Sequence, residues 1–320
     1  MMERINFRIA SLIYIIISLF ILGCGNNPTD SNDDDGGGNN STTLTGKFAF
    51  VSKDDGDREI YTMNADGTNL LKLTDNTQND DEPSWSPDGN KIAFHSWGYL
   101  VPTEIYIMNS DGSNVIPITH DPEDHGIEEH WPSWSSDGLK ILYENYADNG
   151  TEPNETTIFN VNLYYSNASG TGDAVRITNN LFYEGDPCWS PDGSKVVFVH
   201  AQIDTVISGY DVSDGDQIWM MDSNGSNWKR LTTGYGNNLH PRWSPDGTKI
   251  VYDSDDGICI IDTDGNNQSL GVYGGNPSWS PDGTKIVYDD DYKIYVIKSD
   301  GSPVKTITPA VGAMQVVWTE

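Results

Sequence analysis

One unit recurs along the chain and limits its fold more than any other feature. It reads PSWSPDGNKIAF (83–94), PSWSSDGLKILY (132–143), PCWSPDGSKVVF (187–198), PRWSPDGTKIVY (241–252) and PSWSPDGTKIVY (277–288), with a truncated copy, VVWTE, at the C-terminus. Each unit continues into a second apolar run and an Asx-Gly turn, as in EIYIMNSDG, QIWMMDSNG, ICIIDTDG and KIYVIKSDG, and then a run such as VIPITH or WKRLTT. Short stretches of Ile, Val, Tyr and Phe bounded by Gly and Asp are strand signals. A period of this length means stacked supersecondary units that share their apolar faces. Four strands per repeat are therefore predicted.

Turn chemistry points the same way. In Ser-Pro-Asp-Gly the proline supplies a φ near -65° and the glycine a positive φ, which together close a tight turn between antiparallel strands. The repeated Asp is turn chemistry first, and the lysines that follow (Lys91, Lys140, Lys195, Lys249, Lys285) solvate a strand start. No stretch has the alternating acidic ligands and distal Glu of a calcium loop. The tryptophans Trp85, Trp134, Trp189, Trp243, Trp279 and Trp318 are spaced 36 to 55 residues apart. That is the length of a four-stranded blade, and the tryptophans are read as packing between blades. Six units of four strands predict an all-β, six-bladed propeller of antiparallel blades. The repeated region opens with a second strand (Lys47 to Ser52) and finishes with a first strand (Gln315 to Thr319), so one blade is expected to be built from both termini and to close the ring.

Ahead of the repeats, Arg4 and Arg8 form a short basic segment, and Ile9 to Leu22 carry no charge. Fourteen such residues suit a signal peptide better than a membrane span. Ile21-Leu22-Gly23-Cys24 resembles the bacterial lipobox, which implies that Cys24 is lipidated and becomes the new N-terminus. The expected organisation is a lipoprotein signal peptide at 1–23, a lipidated cysteine with a flexible acidic tether at 24–45, and the propeller at 46–320. Within the tether, Asp33, Asp34 and Asp35 read as a solvated spacer, with a surface-export signal as the alternative.

The net charge of -30 excludes several functions. Nucleic-acid binding needs clustered Lys and Arg, and docking on anionic lipid needs the same, so no nucleic-acid partner is expected and membrane contact is left to the lipid anchor alone. Catalysis has little support, because neither a Gly-x-Ser-x-Gly elbow nor a His-Glu-x-x-His pair occurs. His120, His125 and His130 stand among Asp121, Glu123, Asp124, Glu128 and Glu129. Imidazole and carboxylate are adequate ligands for zinc or manganese, but an exposed acidic loop is the plainer reading, and neither metal nor cofactor is assigned. Cys188 and Cys259 read as small buried hydrophobes in neighbouring blades, which leaves a disulfide open.

The Pro-x-Trp-Ser-Pro-Asp-Gly-x-Lys-Ile-x-(Phe/Tyr) unit, followed by Ile-Tyr-x-Met-Asn-x-Asp-Gly, resembles the WD40-like propeller repeat of the TolB family over residues 46 to 320. The resemblance implies a six-bladed propeller of the bacterial cell envelope that binds other proteins. TolB also has an α/β domain before its propeller, where this chain has only the tether. In a four-strand meander the tight DG turns lie at one end. The longer segments, Trp97 to Thr103, Ala147 to Thr156, Ala201 to Gly215 and 120 to 130, lie mostly at the other, where binding loops are expected. The residues just before the first-strand prolines, Glu82, Trp131, Asp186, His240 and Asn276, with Gln315 in the equivalent place, are expected to ring the channel mouth at that end. The resulting expectation is a monomeric, non-catalytic envelope lipoprotein bound on the outer membrane, at its periplasmic side or the cell surface. It would hold a protein or peptide with basic groups. The alternative is a metal-assisted polysaccharide lyase of the oligogalacturonate type, or a glycan-binding propeller.

Overall fold

The computed structural model describes residues 44–320 except 55, 99–100, 121–127, 148–159, 181, 202, 208–209 and 214. The leader, Cys24 and the tether lie outside the described residues. So do His125 and most of the 120–130 and 147–156 segments. The described residues are strands, turns and connections, with no helix long and apolar enough to cross a membrane.

The strands follow the repeat as antiparallel meanders. The first is β1 (Lys47–Ser52), β2 (Glu59–Asn64) and β3 (Leu71–Lys72). The second is β4 (Asn79–Trp85), β5 (Lys91–Gly98), β6 (Val101–Asn109) and β7 (Ile116–Pro117). The third is β8 (Glu128–Trp134), β9 (Lys140–Ala147), β10 (Asn160–Asn167) and β11 (Val175–Arg176). The fourth begins with β12 (Tyr183–Trp189) and β13 (Lys195–Ala201), extends a side hairpin of β14 (Ile203–Ile207) and β15 (Tyr210–Ser213), and finishes with β16 (Gln217–Asp222) and β17 (Lys229–Arg230). Next come β18 (Asn238–Trp243), β19 (Lys249–Ser254), β20 (Gly257–Asp262) and β21 (Asn267–Ser269), then β22 (Gly275–Trp279), β23 (Lys285–Asp290), β24 (Lys293–Lys298) and β25 (Pro303–Ile307). The last strand, β26 (Met314–Thr319), returns to the first meander and pairs with β1, setting Phe48 opposite Trp318 and Lys47 opposite Thr319. Single parallel bridges, Thr103 to Glu128 and Val161 to Tyr183, link the second, third and fourth meanders into one larger sheet.

Each Ser-Pro-Asp-Gly turn is a closed hydrogen-bond unit. Ser86 Oγ donates to Asp88 Oδ1 at 2.7 Å, the Asn90 amide donates to the same oxygen at 3.1 Å, and the Lys91 amide donates to Ser86 Oγ at 2.9 Å. Gly89 takes the positive φ of 67° that the turn requires. These bonds hold the Asp88 carboxyl down at about 2, so the Asp is a turn acceptor, as its place in the repeat suggests.

The apolar core is divided into slabs between neighbouring meanders. Ala93, Ile105 and Ile107 of the second pack on Trp134, Ile141 and Tyr143 of the third, and Val197, Val199 and Ile218 of the fourth pack on Trp243, Ile250 and Tyr252 of the next. Val287, Ile294 and Val296 pack on Phe48, Phe50 and Trp318, so one slab joins the last complete meander to the sheet that holds both ends of the described chain. The tryptophans lie in these slabs. Trp134 Nε1 donates across to the Ser84 carbonyl at 3.0 Å and Trp279 Nε1 to the Arg242 carbonyl at 3.2 Å.

Cys188 and Cys259 are free thiols in separate meanders. A second recurring device was not anticipated. A Thr just after the last short strand of a meander accepts an amide from the strand it pairs with: Ile60 to Thr74, Ile105 to Thr119, Leu163 to Thr178 and Ile218 to Thr232, at 2.8 to 2.9 Å.

Candidate functional site

The sequence places Glu82, Trp131, Asp186, His240, Asn276 and Gln315 just ahead of the first strand of each repeat. In the structure they lie inside it, because these strands begin two to four residues before the proline. All six have φ between 51° and 56°, a left-handed conformation that non-glycine residues adopt only at some cost. The ladder slips at each of them, for example between Asp81 and Ser84 and between Leu239 and Arg242. A β-bulge thus marks every first strand and hides the alternation that would have shown where the strand starts.

Bulges free backbone amides, and neighbouring side chains take them up. The Glu82 amide donates to Gln315 Oε1 at 3.0 Å, the Trp131 amide to Glu82 Oε2 at 2.6 Å, and the His240 amide to Asp186 Oδ2 at 2.5 Å. Trp131 has no acceptor to pass on, and there Glu144 Oε2 takes the Asp186 amide at 3.1 Å. Asp289 Oδ1 takes the Val316 amide at 3.3 Å. Glu144 leaves no room beside it: a Cβ on Gly185 would stand 2.1 Å from its Oε2, so only glycine fits there.

The bulge residues come together unevenly. Glu82, Trp131, Asn276 and Gln315, with Cys188 and Arg242, line a cavity of about 70 Å³, enough for a few waters and far too small for a peptide. Asp186 and His240 join through the hydrogen bond from the His240 backbone amide, and the His240 ring lies 4.9 Å from the Trp131 ring. His240 Nδ1 donates to Asp253 Oδ1 at 2.7 Å, and Arg242 Nη1 donates to Asp186 Oδ1 at 3.2 Å. Burial opposes the imidazolium of His240, but the charges of Asp253 and Asp186 outweigh it and raise its pKa to about 9. Burial pushes Glu144 up to about 8 and Asp289 to about 7.

Beside this ring, Glu82, His95 and His130 converge, each offering a ligand atom within 4.8 Å of the others. Of the histidines named from the sequence, His130 is drawn into this group, His120 is exposed at the end of the second meander, and His125 is outside the described residues. Burial drives His95 down to about 3. At His130 burial works the same way, but the carboxylates of Glu128 and Glu82, 3.7 and 3.8 Å from its ring nitrogens, and the charge of Glu144 overcome it and raise its pKa.

His95, Glu144, Asp253 and Asp289 escaped the sequence reading, yet one signal marks them all. Each follows the aromatic residue of the second strand, in KIAFH, KILYE, KIVYD and KIVYD. A polar residue there interrupts an apolar run and faces the bulge of a neighbouring first strand.

The strand registers put the tight DG turns at one end of each meander and the connections between meanders at the other. The connection end carries exposed aromatics. Tyr235 (90% exposed) lies between β17 and β18, Tyr273 (65%) between β21 and β22, and Tyr292 (62%) in the β23–β24 turn. Gly234 and Gly236, at φ 112° and 107°, flank Tyr235 and bend the chain so that its ring projects.

Residues 44–159 match the TolB beta propeller domain family. Among curated proteins, the Tol-Pal system protein TolB of Geobacter sulfurreducens is 45% identical over 49 residues, which is 15% of this chain and only 11% of that protein's length. Among solved structures, TolB from Acinetobacter baumannii superposes with a TM-score of 0.65 at 21% identity, covering 86% of this chain and 67% of that one. An oligogalacturonate lyase from Vibrio parahaemolyticus gives 0.56 at 20% identity, covering 81% and 74%. At these identities the structural likeness concerns the fold.

Proposed function

We propose that the chain is a TolB-like β-propeller and a lipid-anchored scaffold of the bacterial cell envelope whose connection end holds a protein or peptide partner. In this reading the meanders are six blades closed into a ring by the β1–β26 pair, and Cys24 carries the anchor. The observation that carries the function is the set of exposed rings at Tyr235, Tyr273 and Tyr292, all on connections at one end of the blades. Aromatic side chains that expose an apolar body beside a polar tip are the usual anchors of protein interfaces. The cavity between the first strands has room for little more than water, which favours the rim as the surface for a partner. With a net charge of -30 the partner should present Lys or Arg, which steers encounter more than it fixes affinity.

A photo-crosslinking residue at position 235, installed in cells of the source organism, tests this. It should capture one discrete envelope polypeptide, and the same residue at position 139, in a DG turn, should not. Equal capture from both positions would count against the proposal. The lyase alternative gains from the convergence of Glu82, His95 and His130. It would be supported by ultraviolet absorption from unsaturated sugar released from polygalacturonate.

A further inference from the structure

We propose that Glu82, His95 and His130 form a binding site for a first-row divalent transition-metal ion, held between the second and third meanders. Glu82 comes from β4, His95 from β5 and His130 from β8, so the ligands belong to two meanders. Glu82 faces both imidazoles: its Oε2 is 3.4 Å from His95 Nδ1 and its Oε1 is 3.8 Å from His130 Nδ1. The two rings lie 4.3 Å apart between centroids. Donors held about 2 Å from a single zinc ion stand roughly 3.3 Å apart, and the three ligand atoms lie within 4.8 Å of one another, so the cluster closes by about 1.5 Å at most.

His95 is the independent observation. It is only 3% exposed, and neither of its ring nitrogens has a hydrogen-bond partner. A buried polar group without a partner costs roughly 1 to 3 kcal/mol. The architecture does not need an imidazole at this position. At the same place in other repeats Glu144 and Asp289 accept bulge amides, whereas here Glu82 already takes the Trp131 amide. A metal–nitrogen bond would give His95 the partner it lacks.

The surroundings suit ligation. The Trp131 amide fixes the Glu82 carboxylate, and Glu128 Oε2, 3.7 Å from His130 Nε2, stands close enough to take that N–H on a small shift and leave Nδ1 toward the metal. Two imidazoles and one carboxylate favour zinc or a similar ion over calcium or magnesium, which prefer oxygen alone. Three protein ligands leave a coordination position for water.

The test is calorimetric titration of zinc into the chelator-treated full chain, with excess magnesium to occupy exposed carboxylates. One equivalent should bind. His95→Gln and His130→Gln should each weaken binding at least tenfold, while His240→Gln, which alters a histidine–carboxylate pair outside the cluster, should leave it unchanged. Circular dichroism establishes folding, and because His130 is partly exposed its variant keeps the test open should the His95 variant fail to fold. Absence of saturable one-to-one binding, or equal affinity in the His130→Gln variant, would overturn the proposal.

Discussion

At the scale of single residues, the polar groups of the inner strands do two jobs. Glu82, Asp186 and Gln315 satisfy bulge amides of neighbouring strands, so what looks like a ligand ring is also the means by which the bulges stay paired. This produces a pH dependence whose sign can be worked out. His240 has a folded pKa of about 9, above the ordinary value of 6.5, so its contribution to stability is full below pH ~6.5 and is lost as the pH rises through about 9. Asp289, raised from 3.8 to about 7, acts in the same sense over a lower window: its contribution is full below about pH 4 and is lost as the pH rises through about 7. The melting temperature should therefore fall from about pH 4 upward, and the part of the fall between about pH 6.5 and pH 9 should be shallower in His240→Gln. Parallel curves for the two proteins would contradict this account of the His240–Asp253 pair.

At the scale of elements, the repeat made most of the fold legible. Turn residues and β-branched runs specified where strands pair, and the Ser-Asp bonds of the DG turns occur as the turn chemistry requires. The starts of the first strands were not legible, since a bulge at Glu82 and its counterparts breaks the two-residue alternation on which such a reading depends. The convergence of His95 with His130 was equally hidden. The two lie 35 positions apart, on strands of different meanders, and sequence spacing has no bearing on their distance. The terminal pairing was legible, and it makes a prediction. Deleting Gln315 to Glu320 removes Trp318, whose ring lies 4.9 Å from that of Phe48, and leaves an edge of β1 unpaired. Loss of a large buried aromatic costs about 3 to 5 kcal/mol. For a domain of this size that lowers the melting temperature by roughly 10 °C, with poorer solubility from the open edge. An unchanged thermal transition would show that β26 contributes little to the fold.

At the scale of the whole molecule, the proposal joins an anchor, a tether and a rigid body with one working end. The anchor is tested by replacing Cys24 with Ser, which should abolish incorporation of labelled palmitate; continued labelling would rule out Cys24 as the lipid site. The two ends of the blades differ in chemistry. DG turns close on themselves through their own hydrogen bonds, whereas the connection end exposes Tyr235, Tyr273 and Tyr292. The acidic charge should make association sensitive to salt, because screening weakens attraction between exposed charges over distances of about 10 Å at 0.1 M. The most direct measurement is a set of binding isotherms, at low and high salt, for the polypeptide crosslinked from position 235. Tyr235→Ala, Tyr273→Ala and Tyr292→Ala combined should weaken binding at least tenfold with the melting temperature unchanged, and Leu139→Ser in a DG turn should bind as the wild type does. Binding lost in the Leu139 variant and kept in the triple-tyrosine variant would place the working surface at the opposite end.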